Sequence, residues 1–160
     1  MAEDFSRLSE SWVEWATRSQ LRDVSVSTDR DDCQIAFRSR DYSFYLRTES
    51  DWWVIDTVDD RGQRSDADAK FSAFALAEKY LIWTWITNAR SSLASGPLGA
   101  TLYKQGYAPG IEVTELNGTH GKLCLDGECA ILILGTATIF SHIMLMSVDE
   151  IEQIGRQDGQ

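Results

Sequence analysis

Between Leu21 and Val58 the chain repeats with a period of two. Val24 and Val26 alternate with Ser25 and Ser27, and Cys33, Ile35 and Phe37 alternate with polar neighbours. Tyr42, Phe44 and Leu46 do the same, and Trp53, Ile55 and Thr57 follow. Successive side chains of a strand point to opposite faces, so the pattern predicts strands with one buried and one wet face. The separators Thr28-Asp29-Arg30-Asp31, Arg38-Ser39-Arg40-Asp41 and Thr48-Glu49-Ser50-Asp51 are short and rich in turn residues. Together they predict an antiparallel meander of about four strands.

Outside this region the period changes. Phe5, Leu8, Trp12 and Trp15 recur at helical spacing and predict an amphipathic helix over 4–18. After a polar loop at 59–64, Ser65 or Asp66 reads as the cap of a second helix, with Asp66 and Asp68 suited to its positive end. Phe71, Phe74, Ala75, Leu81, Ile82 and Trp85 give that helix a broad apolar stripe, and it is expected to pack centrally on the buried face of the meander. Gly96-Pro97, Gly99, Gly106 and Pro109-Gly110 mark 91–110 as an irregular connection. Strands are expected over 111–116, 122–125, 130–134 and 137–145. Ser147-Val148-Asp149-Glu150 is a capping box, opening a terminal helix with Ile151 and Ile154 inward. The expected class is α+β, with antiparallel sheet in the order helix–strands–helix–strands–helix. One compact domain is expected over 1–155, with a flexible tail at 156–160 and a polar end from Gly155 that frays.

A chain of 160 residues buries enough surface to fold without staples. Cys33, Cys124 and Cys129 are an odd number, as suits a reducing compartment. Asp126-Gly127 signals a two-residue hairpin, which sets Leu125 against Glu128 and Cys124 against Cys129, within disulfide range if that pair is not hydrogen-bonded. Two free thiols on the core face are expected there, and no further ligands complete a metal site. Of the six tryptophans, most are expected to fill the core, although Trp also suits a partner surface.

The 25 acidic and 15 basic residues leave a net charge of −10. That balance argues against nucleic acid or an anionic membrane as partner and permits a basic protein. Met1-Ala2-Glu3-Asp4 is acidic where a signal peptide is basic, and the longest apolar run, Ala130 to Leu134, is too short for a bilayer; the cytoplasm is the expected compartment.

No constellation reads as catalytic. His120 lies in the turn Asn117-Gly118-Thr119-His120-Gly121. Asn117-Gly118-Thr119 also matches a glycosylation sequon, without meaning for a cytosolic chain. Ser141 and His142, adjacent in an expected strand, would face opposite ways and could not act as nucleophile and base. Phosphate-cradling glycine loops are missing from the sequence. Asp59 and Asp60 read as a solvated turn or an interaction surface. A non-enzyme without cofactor is expected.

Several segments, taken in order, carry a family resemblance. They are Trp52-Trp53-Val54-Ile55-Asp56, Glu78-Lys79-Tyr80-Leu81, Ala89-Arg90, Gly106-Tyr107 with Gly110, and Phe140-Ser141-His142 through Ser147-Val148-Asp149-Glu150-Ile151. Over residues 8–154 the chain resembles the bacterial immunity proteins that include the immunity factor for tuberculosis necrotizing toxin. The resemblance implies an antitoxin, monomeric when free, that binds a secreted NAD glycohydrolase toxin one to one and occludes its NAD cleft with a loop. The matching loop here is Asp59, Asp60, Arg61, Gly62, Gln63 and Arg64. Independently of the family, a glycine at a loop tip lets backbone enter a narrow cleft, and flanking arginines suit acidic groups around it. The competing reading is a type III-like secretion chaperone, a small acidic α+β protein that would dimerise through the apolar Phe71–Trp85 helix. A small-molecule binding domain is a third.

Overall fold

The computed structural model describes residues 4–91 and 102–157. Eight strands form one sheet: β1 Ser25–Ser27, β2 Ile35–Arg38, β3 Ser43–Glu49, β4 Trp52–Val58, β5 Arg64–Phe71, β6 Glu112–Leu116, β7 His120–Leu125 and β8 Glu128–Ile133. They lie in the order β1-β2-β3-β4-β5-β8-β7-β6, and every neighbouring pair is antiparallel. One face is covered by α1 Ser6–Arg18, α2 Phe74–Ser91, α3 Leu134–Ile143 and α4 Val148–Gln157, with a single helical turn at 102–104. The class is α+β, as expected.

The meander forms where its alternation lies, but its second face is not wet: Ala36, Tyr45, Val54 and Asp56 are buried there. Phe37, Phe44, Leu46 and Ile55 point at the helices and are buried. There Trp12 packs 5.2 Å from Trp85 and 5.9 Å from Phe44, and Phe37 lies 4.9 Å from Trp85. Trp15 and Trp83 are buried too, so core filling accounts for four of the six tryptophans; Trp52 and Trp53 are half-buried. The central helix is in place: of the described side chains of α2 only Ala75 and Asn88 are exposed. The Ser147 box closes as expected, with Glu150 N–H donating to Ser147 Oγ at 3.1 Å and Ser147 N–H donating to Glu150 Oε1 at 2.8 Å.

Three segments differ from expectation, one of them the chain's end: residues 155–157 continue the last helix instead of fraying, with Gly155 buried and Arg156 paired with Glu14 at 2.7 Å. Residues 64–71 are strand β5 and not the start of a helix; Ser65 pairs with Thr57, Ala69 with Ile55, and Phe71 with Trp53. β5 is the hinge of the whole sheet, because Lys70 and Phe71 also pair with Ile131 and Ala130 of β8. Without it the outer edge of β4 would be unpaired. The helix begins only at Phe74, after Ser72 exchanges hydrogen bonds with Cys129. The third difference is α3, where a strand was expected over 137–145. Its β-branched content favours strand locally. Tertiary packing overrides this, because Ala137, Phe140, Ser141 and Met144 fall on one buried helical face, and Phe140 packs against Phe71 and Tyr80.

Cys124 faces Cys129 and Leu125 faces Glu128, as the turn signal requires. The thiols, however, are joined as a disulfide and not free. They also lie on the face away from the helices, alternating with the buried Leu123 and Ala130. The turn signals at Gly96-Pro97 and Gly99 lie outside the described residues.

Candidate functional site

The loop singled out from the sequence is the hairpin turn between β4 and β5. Asp59 folds it. Its carboxylate Oδ1 accepts from the N–H groups of Arg61 at 2.9 Å and Gln63 at 2.8 Å. Its backbone N–H donates to the Gln63 carbonyl at 3.1 Å, and its carbonyl accepts from Gly62 N–H at 3.1 Å. An aspartate that bonds the backbone just beyond it is a standard turn-former. Gly62 sits at φ +79°, in the left-handed region, with open space where a side chain would stand. Asp60, Arg61, Gly62 and Gln63 are exposed at the tip.

Arg64 is different, because it turns back onto the helix-free face of the sheet. Its Nη2 donates to Asp56 Oδ2 at 2.7 Å, its Nη1 lies 3.2 Å from Asp32 Oδ2, and its guanidinium stacks 4.7 Å above the Tyr45 ring. Asp56 sits directly opposite Tyr45 in the ladder and is fully buried. It also accepts from Arg47 Nε at 2.7 Å. Arg47 in turn binds Glu49 at 2.6 Å. The β1–β2 loop folds over this face: Arg30 stacks on Tyr45 at 4.9 Å and pairs with Asp32 at 2.9 Å. The six candidates therefore divide by role. Asp60, Arg61, Gly62 and Gln63 form a presented tip, Asp59 shapes it, and Arg64 anchors it.

The arginines lower two carboxyls of this cluster: Arg30, with Arg64 adding, holds Asp32 well below the usual carboxylate range, and Arg47 lowers Glu49. A carboxyl whose pKa is lower folded than unfolded contributes stability above its unfolded pKa and loses it as pH falls through the folded value. The thermal midpoint should therefore hold between neutrality and about pH 5 and drop below about pH 4. Melting curves at stepped pH check this, and an unchanged midpoint at the acid end would contradict it.

The β2–β3 turn stands at the same end of the sheet, since Ser43 pairs with Val58. There Arg22 binds Asp41 at 2.8 Å and Arg40 binds Asp23 at 2.6 Å. The Arg22 guanidinium is pushed up first by Asp41, with Asp23 and Asp60 adding through space. The hairpin tip thus borders a charged, paired surface.

Ser141 and His142 serve packing. His142 lies on α3, with Nε2 2.6 Å from the Gly106 carbonyl. Ser141 Oγ accepts from Ala108 N–H at 2.9 Å and donates to the Thr138 carbonyl at 2.7 Å. Both side chains staple 106–108 to the helix, which is why they do not pair with each other. His120 opens β7, with Nδ1 2.8 Å from Thr119 Oγ1. Among the described residues no group of three or more His, Cys, Asp or Glu could hold a metal ion, and no helix is long and apolar enough to cross a membrane.

Comparison with known proteins gives this geometry a context. The family model Immunity protein 61 matches residues 15–154. The solved structure of Rv3902c from M. tuberculosis superposes with a TM-score of 0.69 at 15% identity, covering 90% of this chain and 86% of that one. At that identity the likeness is one of fold. No curated protein matches the sequence. The resemblance to bacterial immunity proteins is borne out by a match that runs from the end of α1 into α4, taking in the whole sheet and the hairpin: the chain belongs to the Immunity protein 61 family.

Proposed function

We propose that this protein is an antitoxin. It binds a cognate secreted NAD glycohydrolase in the cytoplasm of the producing cell and occludes the enzyme's NAD cleft with the hairpin at 59–64. Membership of an immunity-protein family carries this reading. The hairpin supports it physically. Its tip is exposed, its turn is fixed by Asp59, and its base is clamped by Arg64 on Asp56, so little conformational freedom is lost on insertion. The net charge of −10 favours steered encounter with a basic partner. A one-to-one complex follows from a single hairpin filling a single cleft. The secretion-chaperone reading is weaker, because it needs an apolar helix free to dimerise. α2 spends its apolar surface inside the monomer, where Leu81, Ile82, Trp85 and Ile86 are buried.

The test is inhibition of the toxin encoded beside this chain, measured as NAD hydrolysis. Gly62→Trp adds bulk at the tip and should weaken inhibition by about tenfold or more, equivalent to about 1.4 kcal/mol. Backbone strain at positive φ should lower the thermal midpoint by only a few degrees, about 1 kcal/mol. Gly62→Ala carries similar strain without the bulk and should still inhibit. An unaltered inhibition constant in Gly62→Trp removes the hairpin from the mechanism. Failure to bind the toxin at sub-micromolar concentration removes the antitoxin reading.

A further inference from the structure

We propose that the outer edge of β6 is a strand-addition site for an extended, basic segment of the toxin. This rests on the antitoxin reading and adds a second contact to it. Among the described residues β6 ends the sheet, and Glu112, Val113, Thr114 and Glu115 are all exposed.

The direction of its free backbone groups follows from the neighbouring hairpin. A two-residue turn makes Leu125 and Glu128 the hydrogen-bonded pair, so Cys124 and Cys129 form the next, non-hydrogen-bonded pair; their Cα atoms are 4.2 Å apart, as that class requires. The N–H and C=O of Cys124 therefore point away from β8 and towards its partner on the other side, Glu112. Alternation then turns Glu112, Thr114 and Leu116 inward to β7 and leaves the N–H and C=O of Val113 and Glu115 directed outward.

Natural sheets blunt their edges with short strands, proline, bulges or charge. The opposite edge, β1, is only 3 residues long, whereas β6 has 5 residues paired one to one with β7, without proline or register shift. Charge is what guards β6. Glu112 and Glu115 project to opposite faces, Asp126 and Glu128 sit on the adjoining hairpin, and Lys122 is the single cation in β6–β8. A second copy would bring carboxylates and no cation against its twin. A strand bearing Lys or Arg is complementary on both faces. Thr114 lies level with Lys70 through Lys122 and Ile131, so this edge stands three strand spacings, about 14 Å, across the sheet and six residues, about 20 Å, along it from the Arg64 end of the hairpin, a span that one globular partner reaches.

A blocked octapeptide of alternating Lys and Val tests the edge without the toxin. With the full-length protein at peptide saturation, amide exchange at Val113 and Glu115 should slow by about tenfold or more, and the matching Glu/Val peptide should bind about tenfold more weakly. Glu115→Pro removes an outward donor and no ladder bond, and should cost the Lys/Val peptide about tenfold in affinity. If circular dichroism shows that variant unfolded, Glu112→Lys/Glu115→Lys replaces it and should reverse the peptide preference. Unslowed exchange at those two amides, equal binding of both peptides, or a dimer that protects them without peptide overturns the proposal. The Gly62 variants report on the antitoxin reading separately, so the two failures are distinguishable.

Discussion

Asp56→Ala should destabilise the protein by about 3 kcal/mol, at the lower end of the range for breaking a buried charge cluster. Asp56 is fully buried and accepts from two guanidinium groups, of Arg47 and Arg64. Its removal takes the buried partner from both cations on a sheet face where Tyr45 is also buried. The loss is moderated because Arg47 keeps Glu49 and Arg64 keeps Asp32. For a domain of this size the midpoint should fall by about 6–12 °C. Asp56→Asn retains the shape and one acceptor and should fall in between. A double-mutant cycle of Asp56→Ala with Arg64→Ala should show coupling of about 1 kcal/mol or more; additive effects would mean that the pair contributes nothing jointly. The functional consequence is sharper than the thermodynamic one. Arg64 is the first residue after the turn, and with its anchor gone the hairpin can sample other orientations. Toxin inhibition should therefore weaken even at temperatures where the variant is fully folded.

This cluster also marks where the sequence stops being legible. The strands β2–β4 could be read because their helix-facing residues are apolar at a period of two, although Ala36, Tyr45 and Asp56 are buried on the other face as well. The β7–β8 register followed from Asp126-Gly127, and the α4 start from Ser147 and Glu150. The position of the candidate hairpin was legible for the same reason, since a polar, glycine-bearing run after an alternating strand is a turn. The division of labour inside it was not. That Asp59 shapes the turn and Arg64 leaves it depends on atomic geometry. Recognising the Asp56 network needs the registers of β3, β4 and β5 at once, together with a β1–β2 loop that folds back across them. β5 was hidden because Asp66 and Asp68, read locally, suit a helix start, and the β4–β5 register shifts between Ile55 and Thr57. α3 was hidden because its composition suits a strand, and only contacts from Phe71 and Tyr80 decide otherwise.

Gly155→Val should cost about 2–3 kcal/mol and undock α4. Glycine inside a helix ordinarily weakens it by about 1 kcal/mol relative to alanine, so its presence one turn after Ile151 asks for a reason. The reason is proximity. A Cβ at 155 would lie 2.7 Å from Trp15 Cη2 and 3.0 Å from Ile86 Cγ2. Neither neighbour yields easily: Trp15 is 1% exposed with Arg18 stacked on its ring, and Ile86 is fully buried in α2. Around this contact Arg156 pairs with Glu14 at 2.7 Å, while Ser11 and Arg7 bind the buried Glu152. α4 is thus pressed against α1 and α2 with polar clamps on either side of a bare backbone position. A valine pushes the helix outward, breaking the clamps and exposing Ile151. The midpoint should fall by about 5–10 °C, and amide exchange at 148–157 should rise before that of the sheet. Gly155→Ala separates the two effects, since it gains helix propensity but meets the same ring. If alanine stabilises the protein, the close approach is not what selects glycine here. If it destabilises, steric contact outweighs propensity, and the packing of α4 on Trp15 sets how firmly the last helix is held.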